Sequence, residues 1–221
     1  MGPGSVRLHV ITDDAVLARP DFVRRGRELL DLADVPVALH LRGPRTSARR
    51  LLELGQELGA APGDRPGTLL VNDRVDVAML LDSGVHLAAR SLPVAEARRL
   101  RGDAALVGRS VRVTELAEVG EPHARLDYLL MGTIFATPSH PERPGDGLAA
   151  LRAAARGAGD PGLPMIGIGG ITPDRVAPVL QAGAHGVAVL SGIWDGPSPA
   201  EAARVYAEAL KNALESMGDK T

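Results

Sequence analysis

Short apolar runs alternate with longer stretches of helical period along this chain, and the alternation repeats eight times. The runs Val6–Ile11, Val37–Leu41, Thr68–Val71, Val85–Leu87, Ala105–Val107, Tyr128–Met131, Met165–Ile168 and Gly186–Leu190 read as strands. Each is followed by a predicted helix: Phe22–Ala33, Ser47–Leu58, Val75–Leu81, Val94–Leu100, Glu115–Val119, Gly147–Arg156, Asp174–Gln181 and Ala200–Leu214. Strands that are apolar almost throughout belong to a parallel sheet covered on both faces, and their alternation with helices implies βαβ units. Eight units in ~200 residues predict a closed (β/α)8 TIM barrel, one domain spanning residues 1–221. An open doubly wound sheet is the competitor, but no Gly-x-Gly-x-x-Gly follows the first strand.

In such a barrel the chemistry lies on the loops after the strands, so the strand ends form a ring of candidate residues. That ring contains Thr12-Asp-Asp14, His40 and Arg42, Asn72-Asp73, His86, Gly108-Arg-Ser110, Gly132-Thr133 with Thr137, Gly169-Gly170 and Ser191-Gly192. The glycine steps after strands seven and eight match the recurrent phosphate site of barrels, where bare backbone N–H groups approach an anion. Gly169, Gly170, Ser191 and Gly192 are therefore the expected phosphate-binding residues. Asp13 and Asp14 either order the first loop or cap the next helix, with the cap preferred. The Pro- and Gly-rich stretch Pro138–Gly147 is an expected lid.

Composition narrows the chemistry further. Cysteine is absent, which removes disulfides, thiolate nucleophiles and Cys-based zinc sites. The lysines are Lys211 and Lys220, so no strand lysine is available for a Schiff base, and positive charge in the body comes from arginine. With 25 basic against 27 acidic residues, no charge argument supports nucleic acid or an anionic membrane as partner. Neither a signal peptide nor a membrane span is evident, so a cytoplasmic location is expected; barrels of this size often pair, which makes a homodimer the natural oligomer to expect.

Ordered along the chain, these stretches resemble the thiamine phosphate synthase/TenI superfamily: His9-Val-Ile-Thr-Asp-Asp14, Leu39-His-Leu-Arg42, Leu70-Val-Asn-Asp-Arg-Val-Asp76, Gly84-Val-His-Leu87, Val107-Gly-Arg-Ser-Val111, Gly132-Thr-Ile-Phe-Ala-Thr-Pro-Ser-His140, Gly167-Ile-Gly-Gly-Ile171 and Ala182-Gly-Ala-His-Gly-Val-Ala-Val-Leu-Ser191. The resemblance implies a role in thiamine biosynthesis with a thiazole phosphate as small-molecule ligand. Synthases of the family let the thiazole displace pyrophosphate from an aminopyrimidine with magnesium present. TenI-type relatives are thiazole tautomerases, acting on a thiazole phosphate carboxylate.

Departures from the family pattern separate these activities. The synthase Gln-x-Arg-x-Lys element reads His40-Leu-Arg42-Gly-Pro44, Gly-Gln-x-Asp reads Ala88-Ala-Arg-Ser91, and Thr-Pro-Thr-Lys reads Thr137-Pro-Ser-His140. Of the metal-binding aspartate pair only Asp73 remains, and one carboxylate is a poor magnesium site. Arg45 or Arg90 would have to replace the missing lysines. The departures therefore favour a TenI-like tautomerase that needs no cofactor. A thiamine phosphate synthase, with Asp73 as metal ligand and Mg2+ as cofactor, is the alternative; a non-catalytic thiazole-phosphate-binding regulator is the next. A phosphosugar isomerase or epimerase would need paired carboxylates, and no such pair stands out. For the tautomerase, Arg42 is the expected carboxylate partner and His40 the proton carrier, the two sharing an orientation along strand two. The family's proton-transferring histidine falls at Thr133, which has no titratable group, so His40 or His140 would take that role. Asn72, Ser110 and Thr137 complete the expected substrate contacts.

Overall fold

The computed structural model describes residues 6–59, 66–88, 91–112, 126–137, 144–157 and 163–218. Eight parallel strands close on themselves: β1 (Leu8–Ile11), β2 (Val37–Leu41), β3 (Thr68–Asn72), β4 (Gly84–Leu87), β5 (Val107–Val111), β6 (Tyr128–Gly132), β7 (Met165–Ile168) and β8 (Gly186–Val189). Each pairs with its neighbours in sequence, and β8 returns to β1 through Leu8 opposite Val187. The described helices are α1 (Asp14–Leu17), α2 (Phe22–Leu30), α3 (Ala48–Leu58), α4 (Val75–Leu80), α5 (Val94–Arg101), α6 (Gly147–Gly157), α7 (Pro173–Gln181), α8 (Ser191–Trp194) and α9 (Pro199–Gly218). The eightfold alternation expected from the sequence is this closed barrel. The helix expected at Glu115–Val119 lies outside the described residues.

Side chains alternate between two cores, as the period of a strand requires. One face of each strand, with residues such as Leu8, Val37, Leu39, Val71, Val85, Val107 and Val187, packs outward against the helices in the larger core. The other face fills the barrel with Ile11, Ala38, Leu70, Leu106, Tyr128, Leu130, Ile166 and Ala188. His9, His40 and His86 also lie buried, at 3%, 0% and 1% exposure. Gly108 is required here by close approach: a Cβ would come within 2.0 Å of the Tyr128 ring. The barrel interior is therefore partly polar, and its polar layer leads upward to the strand ends.

Local capping sets the loops around those ends. Asp13 caps α1, its side chain accepting from the Val16 N–H at 2.8 Å. Asp14 instead orders the loop after β2, accepting from the Arg45 N–H at 3.0 Å and the Thr46 hydroxyl at 2.8 Å. Asp13 thus takes the expected cap, whereas Asp14 serves the loop after β2 and not the first loop. Trp194, fully buried, anchors α8 by donating from Nε1 to the Ile11 carbonyl at 2.8 Å.

Candidate functional site

A cavity of about 520 Å3 opens at the C-terminal ends of the strands. It brings together Arg42, Asn72, Ser110, Thr133, Thr137, Gly169, Gly170, Ser191 and Gly192 from the expected ring, and adds Arg112, Thr172, Arg175 and Tyr206. Arg42 follows β2 and is held there through Thr12, whose hydroxyl accepts from the Arg42 N–H at 2.9 Å and donates to the His40 carbonyl at 2.8 Å. Among the described residues the Arg42 guanidinium has no hydrogen bond or ion pair. Its five donors are committed to nothing else at the cavity wall.

The glycine step after β7 has a steric origin. Gly169 has φ 105° and Gly170 φ 60°, both in the region open to glycine, and a Cβ on Gly169 would lie 2.4 Å from Thr133 Cγ2. The wall there is backbone, with no side chain between it and the cavity. Ser191 and Gly192 open α8 on the same side, and both are exposed.

Arg175 and Arg112 were not singled out by the strand-end reading. Arg112 continues the inward parity of Ser110 two residues further on, so the alternation of β5 could have revealed it. Arg175 comes from the first turn of α7 and folds back over the Phe135 ring, 4.6 Å from its centroid, while donating to the Gly170 carbonyl at 2.7 Å. No strand register points to it. Tyr206 reaches the cavity from α9, and its hydroxyl donates to the Ile171 carbonyl at 2.9 Å.

Several expected site residues lie elsewhere. His40 shares the inward orientation of Arg42 but sits one layer deeper: it does not line the cavity. Its Nε2 is 2.9 Å from His9 Nδ1 and its Nδ1 3.0 Å from Asn72 Oδ1. Burial pushes its pKa down to about 4, so at neutral pH it carries no charge. The expectation of His40 as a cavity-facing proton carrier is corrected accordingly, because strand alternation fixes the face of a residue but not its depth. Arg45 is 88% exposed and pairs with Asp14, away from the cavity wall. His140 and Arg90 lie outside the described residues, as does most of the expected lid.

Asp73 has a structural task. It adopts φ 63°, donates its N–H to the His86 carbonyl at 2.9 Å, and accepts on Oδ1 from the Ala88 N–H at 2.8 Å and from the Ser91 hydroxyl. It ties the end of β3 to the loop after β4 and does not line the cavity. Among the described residues no group of three His, Asp or Glu side chains is placed to hold a metal ion. Among the described residues, then, no side chains form a magnesium site from protein ligands alone.

The cavity wall is thus donor-rich. Its charged residues are Arg42, Arg112 and Arg175, and among the described lining residues there is no Asp, Glu, Lys or His. A cavity of this kind suits a ligand with more than one anionic group.

The sequence matches the TMP-TENI family, described as thiamine monophosphate synthase, over residues 8–193. It is 42% identical over 177 residues to the "Thiamine-phosphate synthase" of Natronomonas pharaonis, covering 78% of this chain and 81% of that one. To the protein of the same name from Methanoculleus marisnigri it is 38% identical over 213 residues, covering 93% and 96%. The structure is similar to thiamine phosphate pyrophosphorylase from Pyrococcus furiosus, with a TM-score of 0.71, 26% identity, and coverage of 96% and 98%.

Proposed function

We propose, for a chain that belongs to the thiamine monophosphate synthase (TMP-TENI) family and so to thiamine biosynthesis, that the arginine-walled cavity catalyses the synthase reaction. In it a thiazole phosphate displaces pyrophosphate from an aminopyrimidine: the bond to the thiazole forms as the bond to pyrophosphate breaks. The observation that carries this reading is the charge of the wall, three arginines and no described carboxylate, lysine or histidine. A departing pyrophosphate needs positive charge and multiple hydrogen-bond donors, which arginines supply. Displacement of this kind asks for no proton carrier, and none lines the described cavity.

The phosphate ester of the thiazole is assigned to the backbone at Gly169 and Gly170 together with Ser191 and Gly192. Pyrophosphate is assigned to Arg42 and Arg112, while Arg175, which donates to the Gly170 carbonyl, stands beside the phosphate-ester backbone. Asn72 and Ser110 donate to pyrophosphate from the cavity floor, and Thr133 and Thr137 orient the two rings between these ends. Asp73 Oδ1 ties the loop after β4 to the end of β3, and Asp73 does not line the cavity.

This reverses the order of preference drawn from the sequence. The tautomerase was favoured on the loss of lysines and of a second aspartate, yet it needs a group that titrates near neutral pH against the substrate. His40 lies below the cavity wall and Thr133 cannot titrate, while the relatives carry the synthase name.

The test is to incubate the protein with thiazole phosphate and aminopyrimidine pyrophosphate in magnesium buffer and follow thiamine phosphate by thiochrome fluorescence. Product above the no-enzyme rate supports the reading. Product that appears only with the unaromatised thiazole and an added synthase would return the tautomerase to first place. Silence in both arms would leave a binding protein.

A further inference from the structure

Two hydrogen-bonded chains of buried side chains run through the barrel interior and each ends on a polar residue of the cavity floor. In the first, Tyr128 Oη lies 2.9 Å from His86 Nδ1, and His86 Nε2 lies 2.8 Å from Ser110 Oγ. In the second, His9 Nδ1 meets His40 Nε2 at 2.9 Å, and His40 Nδ1 meets Asn72 Oδ1 at 3.0 Å. The chains lie side by side, with His40 and His86 centroids 5.0 Å apart and His9 and Tyr128 4.8 Å apart. Ser110 and Asn72 both line the cavity.

The direction of the first chain follows from counting protons, and that of the second from the Asn72 oxygen that His40 meets. Among the described residues the Tyr128 hydroxyl has no hydrogen-bond partner but His86, and a buried phenol left without an acceptor is costly. It therefore donates to Nδ1. A neutral imidazole that accepts at one nitrogen donates at the other. His86 accordingly donates from Nε2 to Ser110 Oγ, and the Ser110 proton is left to point into the cavity. In the second chain a carbonyl oxygen only accepts, so His40 carries its proton on Nδ1 and donates to Asn72 Oδ1. Its Nε2 accepts from His9 Nδ1–H, which leaves the Val6 carbonyl beside the His9 ring without that proton, and the Asn72 NH2 group is turned to the cavity. Burial keeps all three imidazoles neutral, so each holds one proton and cannot donate at both ends.

We propose that Tyr128–His86 and His9–His40 are positioning pairs that lock Ser110 and Asn72 as hydrogen-bond donors, so that the cavity floor selects a lone-pair-rich, anionic group and rejects a donor. The proposal rests on the cavity being the ligand site, and not on which reaction it performs. It also gives the interior histidines a task that packing alone does not: an apolar residue in their place would fill the barrel but leave the floor free to turn either way.

The first measurement is made on the unliganded protein, by long-range 1H–15N correlation of the imidazoles at neutral pH. The expected result is His86 as the Nε2–H tautomer, with His9 and His40 as Nδ1–H tautomers. His86 protonated on Nδ1 would overturn the Ser110 half. His40 protonated on Nε2 would overturn the Asn72 half: the Val6 carbonyl, within reach of the His9 ring, would then be directing the second chain the other way. The second measurement is titration calorimetry with inorganic pyrophosphate on the wild type, Tyr128→Phe, Ser110→Ala and the double variant. Removing the phenol lets Ser110 turn its proton back to His86, so each single variant should weaken binding about tenfold and the double variant no more than Ser110→Ala alone. Additive losses, or no pyrophosphate binding by the wild type, would overturn the selecting role. If Tyr128→Phe does not fold, the tautomers of the wild type still decide the polarity. The tautomers and the variant cycle can fail while thiamine phosphate is still formed, whereas absence of pyrophosphate binding by the wild type counts against both readings.

Discussion

Arg42 is the residue on which the anion reading turns most directly. It carries an uncommitted guanidinium at the wall, and its backbone is pinned by Thr12 so that the side chain starts from a fixed point. Arg42→Ala should weaken pyrophosphate binding by roughly 30-fold, about 2 kcal/mol, a common value for hydrogen bonds to a charged group. Arg42→Lys should recover only part of that, since an ammonium cannot make the bidentate contact. Calorimetry on the two variants checks both; full recovery by lysine would show that the site reads charge without geometry. This residue was legible in the sequence because it stands at a strand end with inward parity. His40, two residues earlier, was equally legible as inward-facing, but its depth was not, since depth depends on the stagger of strands around the barrel. Arg175 was invisible for another reason. Its place at the wall depends on the Phe135 ring and the Gly170 carbonyl, contacts that close only in the fold.

At the scale of elements, the apolar run located strands best where both faces are buried by apolar residues. It was displaced at the fifth, expected at Ala105–Val107 and found at Val107–Val111. The reason is Gly108, Arg109 and Ser110: the pattern drops its apolar signal just where the interior turns polar and Tyr128 takes the space of a side chain. The turn after β7 is a glycine step with positive φ at both residues, and its geometry supplies a prediction. Gly169→Ala must place a Cβ 2.4 Å from Thr133 Cγ2 at φ 105°. Such a substitution should cost about 1–3 kcal/mol of stability and move the loop on which the thiazole phosphate is assigned. Thermal melts and titration with inorganic phosphate would measure the two effects separately. A stable variant with unchanged phosphate binding would show that this backbone is not the cradle. Asp73 offers the matching control: Asp73→Ala should lower the melting temperature by loosening the loop after β4, with the magnesium response of any activity unchanged, because the carboxylate serves the loop.

For the molecule as a whole, the polar layer inside the barrel ties stability to pH. His40 is pushed down to about 4 by burial, and burial likewise holds His9 and His86 well below the ordinary histidine value near 6.5. A histidine depressed in the folded state takes up its proton more readily when the chain unfolds. Its contribution is therefore fully present above pH ~6.5 and is lost as pH falls through the folded value near 4. His40 alone accounts for about 3 kcal/mol over that window, and the two neighbouring rings steepen the slope because a charge on one opposes a charge on the next. Urea unfolding at half-unit steps from pH 7.5 to 4.5 should show stability flat above about 6.5 and falling steadily below it. His40→Gln keeps a hydrogen-bonding side chain between His9 and Asn72 but removes one of the titrating groups. It should therefore lower stability at pH 7.5 and flatten the decline toward acid. If that variant declines as steeply as the wild type, the acid sensitivity lies with carboxylates on the surface, and the buried imidazoles do not limit the stability of the barrel.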